Sequence, residues 1–291
     1  MRPILRPGTH VLRRATGDVQ IGLDPATALV LPDREPVRST LRLLAGSAAR
    51  GSYADASVLE LLELHGLVVD ERDLMPLLAD RAISRHTAAS LTRSAGSAAR
   101  AVRTARRRSR VLIRGFGNPA ADRLRADLGD LLAEAGIGVR EGSQTTLECG
   151  VLFGIGEPDR ELVDQWTRAE TPYLVVRLTE GRAVLGPFVA PGRTACLRCI
   201  DAHWSDADPS WPLLVRQYAA ASSRDRADGA PEPVDPMLAS LAVAWAARDL
   251  ASYVDGLRPS TWSATLTVHG QLDRIETRPW LRHPGCCCSW E

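Results

Sequence analysis

The chain has 291 residues and a mass of 31.5 kDa; it is 45% hydrophobic, 24% charged and carries a formal net charge of +1. That length holds one large domain or two ordinary ones, and so even a charge balance selects neither a nucleic acid nor a polyacid as partner. All 36 basic residues are arginine, which excludes Schiff-base chemistry, a lysine general base and a P-loop lysine on phosphate.

The opening Met1 to Gly8 is basic but has no apolar stretch behind it, so it does not read as a signal peptide. Short extended segments come next. His10 to Arg14 and Asp18 to Gly22 flank the hairpin turn Ala15-Thr16-Gly17, and Thr27 to Leu31 reads as a third strand. Helical material starts at Thr40. Ser57 to Leu64 carries an apolar helical face, ends at Gly66 and passes into the strand Leu67 to Asp70. Further helices are expected over 71–80 and 87–104. Residues 1–110 hold 18 arginines against 11 acids, a net +7, and the rest hold 18 against 24, a net −6. The arginine-rich stretch Arg100 to Arg110 therefore reads as a linker or exposed helix end, a solvated joint between a domain over 1–100 and a second over 101–291.

The second domain opens with the strand Val111-Leu112-Ile113, the turn Gly115-Phe116-Gly117 and a helix from Pro119 to Ala135. Strands follow at Cys149 to Phe153, Tyr173 to Arg177, Ala183 to Val189, 261–268 and 271–277. Helices are expected at Pro158 to Trp166, 209–222 and 236–253. This alternation predicts an α/β, Rossmann-type sheet. Gly115, Gly117 and Ala120 match a GxGxxA nucleotide fingerprint, and Glu141 stands 24 residues past Gly117, where an acid accepts a ribose hydroxyl. A packing turn with a vestigial site is the plainer reading. Only Glu157 and Asp159 offer metal ligands near the neighbouring strand. The longest uncharged apolar piece, Pro236 to Ala247, is too short for the roughly 20 residues of a membrane span. The chain thus reads as soluble and cytoplasmic, in a reducing compartment that leaves thiolates free for metal.

The cysteines carry the strongest chemistry. Cys196-Leu197-Arg198-Cys199 is a CxxC pair, and His283-Pro284-Gly285-Cys286-Cys287-Cys288 supplies a second knuckle far along the chain. Two thiolates from each place make a closed S4 site suited to structural zinc. Cys286 and Cys288 are chosen because alternate residues converge around a tight turn, with Cys287 in place of either left open. His203 and His283, close to the two knuckles, are each open as a ligand or as a donor to one, with an ordinary surface or cap role the plainer reading. A redox CxxC is the rival, disfavoured by the lack of a strand-to-helix context and by the surplus thiols. No catalytic residue is assigned.

The string Leu185-Gly186-Pro187-Phe188-Val189-Ala190-Pro191-Gly192-Arg193-Thr194-Ala195-Cys196-Leu197-Arg198-Cys199 resembles the E1/ThiF-like partner proteins of YcaO cyclodehydratases, which serve thiazole/oxazole-modified microcin biosynthesis. The ending His283 to Cys288, the segment Asp208 to Leu214 and the opening Val19 to Pro25 resemble them too. The resemblance implies a winged-helix-like domain that binds the leader of a ribosomal precursor peptide, followed by a ThiF/E1-like domain whose structural zinc sits on Cys196, Cys199, Cys286 and Cys288. It implies a non-catalytic subunit that presents the peptide to a separate YcaO enzyme, ATP being used by that partner rather than by this chain. The leader would add to the edge formed by Thr27, Ala28, Leu29, Val30 and Leu31, and the +7 domain would attract acidic leaders. Because the sequence ends three residues after Cys288, the cyclodehydratase is expected in trans. Neither a nucleic acid nor a membrane is expected as a partner, and pairing of two copies is left open. The rivals are a stand-alone ThiF-type adenylating enzyme, an NAD(P)-dependent oxidoreductase and a zinc-containing transcription factor.

Overall fold

The computed structural model describes residues 2–46, 54–140, 149–224 and 226–289. The chain divides into two compact units, Met1–Thr104 and Ala105–Glu291. In the first unit β1 (Pro3–Leu5) is followed by β2 (Val11–Arg13), β3 (Asp18–Ile21) and β4 (Leu29–Pro32). Helices α1 (Glu35–Leu44) and α2 (Ala56–Leu64) follow, then β5 (Val68–Asp70), α3 (Glu71–Leu78), α4 (Arg85–Ala95) and α5 (Ala99–Arg108), whose last residues belong to the second unit. Strands β2, β3 and β4 form an antiparallel sheet in that order, and β1 pairs with β5. Alternation along the strands turns Val19, Ile21 and Leu31 inward onto Val37, Leu41 and Leu44 of α1 and Leu62 of α2.

Two expectations change here. The third strand starts at Leu29 and not at Thr27, because Asp24 winds the preceding residues into a turn. Its side chain accepts from the Ala26 N–H at 3.0 Å, and its carbonyl accepts from Thr27 at 3.1 Å and Ala28 at 2.8 Å. The arginine-rich stretch forms most of α5 but is not wholly solvated, since two of its members are buried in ion pairs. Arg103 meets Asp80 at 2.8 Å within the first unit. Within the second, Arg106 grips Asp255 through two bonds of 2.7 and 2.6 Å.

The second unit runs β6 (Arg110–Gly117), α6 (Asp122–Glu134), β7 (Gly138–Arg140), β8 (Cys149–Ile155), α7 (Arg160–Arg168), β9 (Tyr173–Thr179) and β10 (Arg182–Val189). It continues with α8 (Leu197–Ala207), α9 (Trp211–Ser222), α10 (Pro236–Val254), β11 (Ala264–His269) and β12 (Ile275–Pro279). One mixed sheet has the order β12-β11-β10-β9-β8-β6-β7, parallel from β9 to β7 and antiparallel beyond. Strand β8 is buried along its whole length, as a parallel strand covered on both faces must be. On one face α6 and α10 pack over Val111, Val151, Phe153 and Val176. On the other, α7 and α8 cover Leu152, Tyr173 and Val175.

The glycine segment is strand and not turn. Strand β6 stays paired with β8 as far as Gly117 opposite Ile155. A Cβ on Gly117, which has φ +69°, would lie 1.9 Å from the Ile155 carbonyl oxygen, and one on Gly154 would lie 2.3 Å from that of Phe116. These glycines let two backbones close up. Gly117→Ala is expected to cost about 1–3 kcal/mol from the left-handed conformation alone, with the steric term added. Urea unfolding would show it as a lower midpoint at unchanged slope.

Candidate functional site

The parallel strands order β7-β6-β8-β9, so the chain reverses its direction of winding between β6 and β8, and a ligand crevice belongs beyond their carboxyl ends. A cavity of about 860 Å3 opens there, lined by Gly115, Phe116 and Gly117, the segment Glu157 to Leu162, and residues of α8 and α9. Gly115 and Gly117 are thus brought to one wall. The third expected nucleotide residue, Glu141, lies outside the described residues.

Arg160 anchors the floor of this cavity. Its guanidinium meets Asp201 of α8 at 2.6 and 2.9 Å and Glu157 at 2.7 Å, while its Nη1 donates to the Pro158 carbonyl at 2.9 Å. Arg177 grips the same Glu157 at 2.9 and 3.0 Å, and Trp211 Nε1 donates to Asp201 at 3.0 Å. Burial works against the charged form of Arg160, but the hydrogen bond and charge of Asp201, with those of Glu157, outweigh it and raise its pKa. Burial also pushes Asp201 up, yet Arg160 pulls harder and leaves its carboxyl below the ordinary range. Glu157 is therefore spent on two guanidiniums, and Asp159 caps α7 by accepting from the Glu161 N–H at 2.8 Å. Of these two acids Glu157 is committed, while Asp159 stays exposed with one carboxylate oxygen on the cap. The cations lining this cavity are guanidiniums, with Arg198 and Arg216 nearer its mouth.

Sequence reasoning missed this network, because Arg160 and Asp201 are far apart in the chain and meet only by helix packing. One signal was present. Arginine at the first position of a helix opposes the helix dipole, and such a placement needs a local acid to hold it.

A second constellation lies at the start of α8. Cys196 is the residue before the helix and Cys199 sits in its first turn; the tail folds back so that Cys286 and Cys288 meet them. The Sγ separations are 3.8 Å for 196–199, 3.7 Å for 196–286, 3.5 Å for 196–288 and 3.2 Å for 199–288. Tetrahedral zinc with bonds of about 2.3 Å sets its sulfurs about 3.8 Å apart, so the donor set fits such an ion. Cys287 points outward and is exposed. The Cys196 thiol donates to Cys199, which falls to about 4 and rises above its neighbours in acidity, while Cys196 itself is pushed up. Burial takes Cys286 up to about 12.

The CxxC does follow a strand and open a helix, contrary to expectation, since β10 leads through a short turn into α8. The disfavour against redox chemistry therefore rests on the convergence of four thiols and not on local context. His203 and His283 lie outside the sulfur cluster. The His283 N–H donates to Cys199. Its Nδ1 accepts from the Gly285 N–H at 3.0 Å, which leaves Nε2 to donate to Asp206 at 3.0 Å. The ring thereby holds the knuckle against α8.

In the first unit, a groove of about 280 Å3 lies beside β2, lined by Val11, Arg13, Val19, Asp33, Arg38, Leu41, Arg42 and Ala45. No described helix is long and apolar enough to cross a membrane.

No family model matches the sequence, and no curated protein matches it. Solved structures do. The heterocyclase TruD aligns over 99% of this chain with a TM-score of 0.72 and 19% identity; the match spans 42% of TruD. E. coli MccB solved with ATP aligns over 100% of both chains with a TM-score of 0.64 and 14% identity. MccB with selenomethionyl MccA aligns over 99% of both, with a TM-score of 0.67 and 14% identity. The fold is ThiF-like. Its mixed sheet carries a cysteine cluster able to coordinate a metal ion. These matches correct two expectations from the sequence. A ThiF-like chain of the same extent, solved with ATP itself, overturns the reading of a non-catalytic subunit without independent activity. It equally overturns the assignment of ATP to a partner alone.

Proposed function

We propose that this chain is an ATP-using, ThiF-type adenylating enzyme that acts directly on a ribosomally made precursor peptide. The observation that carries the reading is the cavity at the β6–β8 crevice in a fold that matches, end to end, a chain solved both with ATP and with MccA. Gly115 and Gly117 line the cavity at the strand ends, and Glu141 remains the proposed ribose acceptor. With no lysine in the chain, Arg216 is the lining cation proposed to face the triphosphate, with Arg198, which grips Asp164 at 2.8 Å, beside it. Adenylation joins a peptide carboxylate oxygen to the α-phosphorus and releases pyrophosphate, so the site must admit a chain end beside the nucleotide.

The first unit is proposed as a winged-helix-like module that holds the peptide by strand addition. Among the described residues its three-stranded sheet has β2 and β4 as its edges. Leu29, Val30 and Leu31 offer the β4 edge, where Thr27 and Ala28 approach it from the turn. The groove beside β2, with Arg13, Arg38 and Arg42 on its rim, gives an acidic leader a second path. Zinc on Cys196, Cys199, Cys286 and Cys288 is proposed as a structural ion; four protein ligands leave no open position for chemistry.

The test is incubation of the purified chain alone with ATP, Mg2+ and candidate precursor peptides. Peptide-dependent release of pyrophosphate is expected, with the AMP moiety carried on the peptide. Retention of all ATP, with peptide shown to be bound, would overturn the adenylating reading.

A further inference from the structure

Two cations meet over one ring at the edge of the large sheet opposite the crevice. Val189 at the end of β10 pairs with Tyr173 at the start of β9, so the turn that follows β10 lies at the amino ends of the parallel strands. Arg193 belongs to that turn, and Arg258 to the loop between α10 and β11. Their guanidiniums stand 5.5 and 5.7 Å from the Trp262 ring centroid, which sets them no more than about 11 Å apart. Both residues are exposed, and neither side chain makes a hydrogen bond or ion pair with a described residue.

The supports of this pair are fixed. Phe188 stacks on Trp262 at 6.0 Å and 15°. Asp249, buried on α10, accepts from the Ser260 and Thr261 N–H groups at 2.8 and 3.0 Å and from their hydroxyls at 2.9 and 2.5 Å, which pins the loop carrying Arg258. Arg282 braces the other turn by donating to the Gly192 carbonyl at 2.7 Å, and it adds a third positive charge. The acids of this end of α10 are committed, Asp249 to the loop and Asp255 to Arg106. Like charges collected on rigid supports repel one another until an anion neutralises them.

The geometry points to a docking site, around Arg193, Trp262 and Arg258, for an acidic peptide segment of a partner protein. Acids at alternate positions of an extended chain stand about 7 Å apart on one side, which suits two guanidiniums flanking one indole. Each fork takes one carboxylate, and the ring limits how much freedom the forks lose on binding. Leu257, 60% exposed and adjacent to Arg258 in the chain, offers an apolar residue of the same segment a contact that an inorganic ion cannot use. The site lies apart from the nucleotide crevice, so its failure would leave the adenylating reading untouched.

The test uses the full chain and a fluorescein-labelled peptide of Glu-Leu-Glu repeats, with binding read by anisotropy at low salt. Arg193→Ala and Arg258→Ala should each weaken binding about threefold, and the double variant about tenfold. Both side chains lie on the surface, so the melting temperature should not move. A benzophenone at one end of the peptide should cross-link within 190–194 or 256–263. Arg13→Ala, in the groove of the first unit, should leave those cross-links in place. Unchanged affinity in the double variant, cross-links confined to residues 1–104, or tighter binding of inorganic phosphate or duplex DNA than of the peptide overturns the proposal.

Discussion

Cys199→Ser is expected to abolish stoichiometric metal binding and to lower the melting temperature of the protein by about 10 °C or more. A structural zinc ion contributes folding free energy directly, because its ligands are scattered in the unfolded chain. Here one pair of thiols opens α8 and the other lies about 90 residues further on, so the ion would close a long loop onto a helix start. Cys196, Cys286 and Cys288 should behave like Cys199 when replaced by serine. Cys287→Ser should keep both metal and stability, because that side chain points away from the cluster. Metal analysis of protein purified without added zinc, followed by thermal melts, separates these cases. Loss of metal in Cys287→Ser with retention in Cys288→Ser would reverse the ligand assignment.

Asp201→Asn should destabilise the fold by about 3–5 kcal/mol, since it removes the main counter-charge of a buried guanidinium. The Arg160 side chain is 9% exposed and that of Asp201 12%, so solvent cannot take over the lost role. A loss below about 1 kcal/mol in urea titrations would place this contact with ordinary surface pairs and count against its anchoring role. The effect carries a pH signature. The folded Asp201 carboxyl lies below its usual 3.8. Its contribution is therefore fully present above the unfolded value and fades as pH falls through the lower folded one. The difference between wild type and Asp201→Asn should be flat near neutrality and shrink only below about pH 4. A difference that grew in acid would contradict the sign. Because Glu157 and Arg177 belong to the same network, Asp201→Asn should also loosen the cavity floor and reduce the proposed ATP-dependent activity along with stability.

Much of the α/β unit was legible. The apolar run at β8 and the strand β9 stand out because parallel strands covered on both faces are apolar throughout. The hairpin of β2 and β3 was legible from Gly17, which takes φ +87° in its turn. Strand β1 was not, because three residues that pair with β5 across most of the first unit leave no local pattern. Helix α8 was hidden by the turn residues before it and by a mixture of Cys, His, Trp and Asp that favours no single structure. The glycine segment misled for a different reason. Its spacing suits a phosphate turn, but the positions are glycine because β6 and β8 approach each other closely through Gly117 and Gly154.

The sequence by itself determined which chemistries the molecule owns: thiolates in two separated groups, arginine as its sole fixed cation, and an alternation of strands and helices that must layer. Only the tertiary structure decided how those groups are spent. It placed Glu157 between two guanidiniums, turned Cys287 outward while its neighbours converge, and left the outer edge of β12 without a described partner strand. Each outcome depends on contacts between residues tens of positions apart. Local propensity and spacing carry no information about such contacts until the sheet order brings them together.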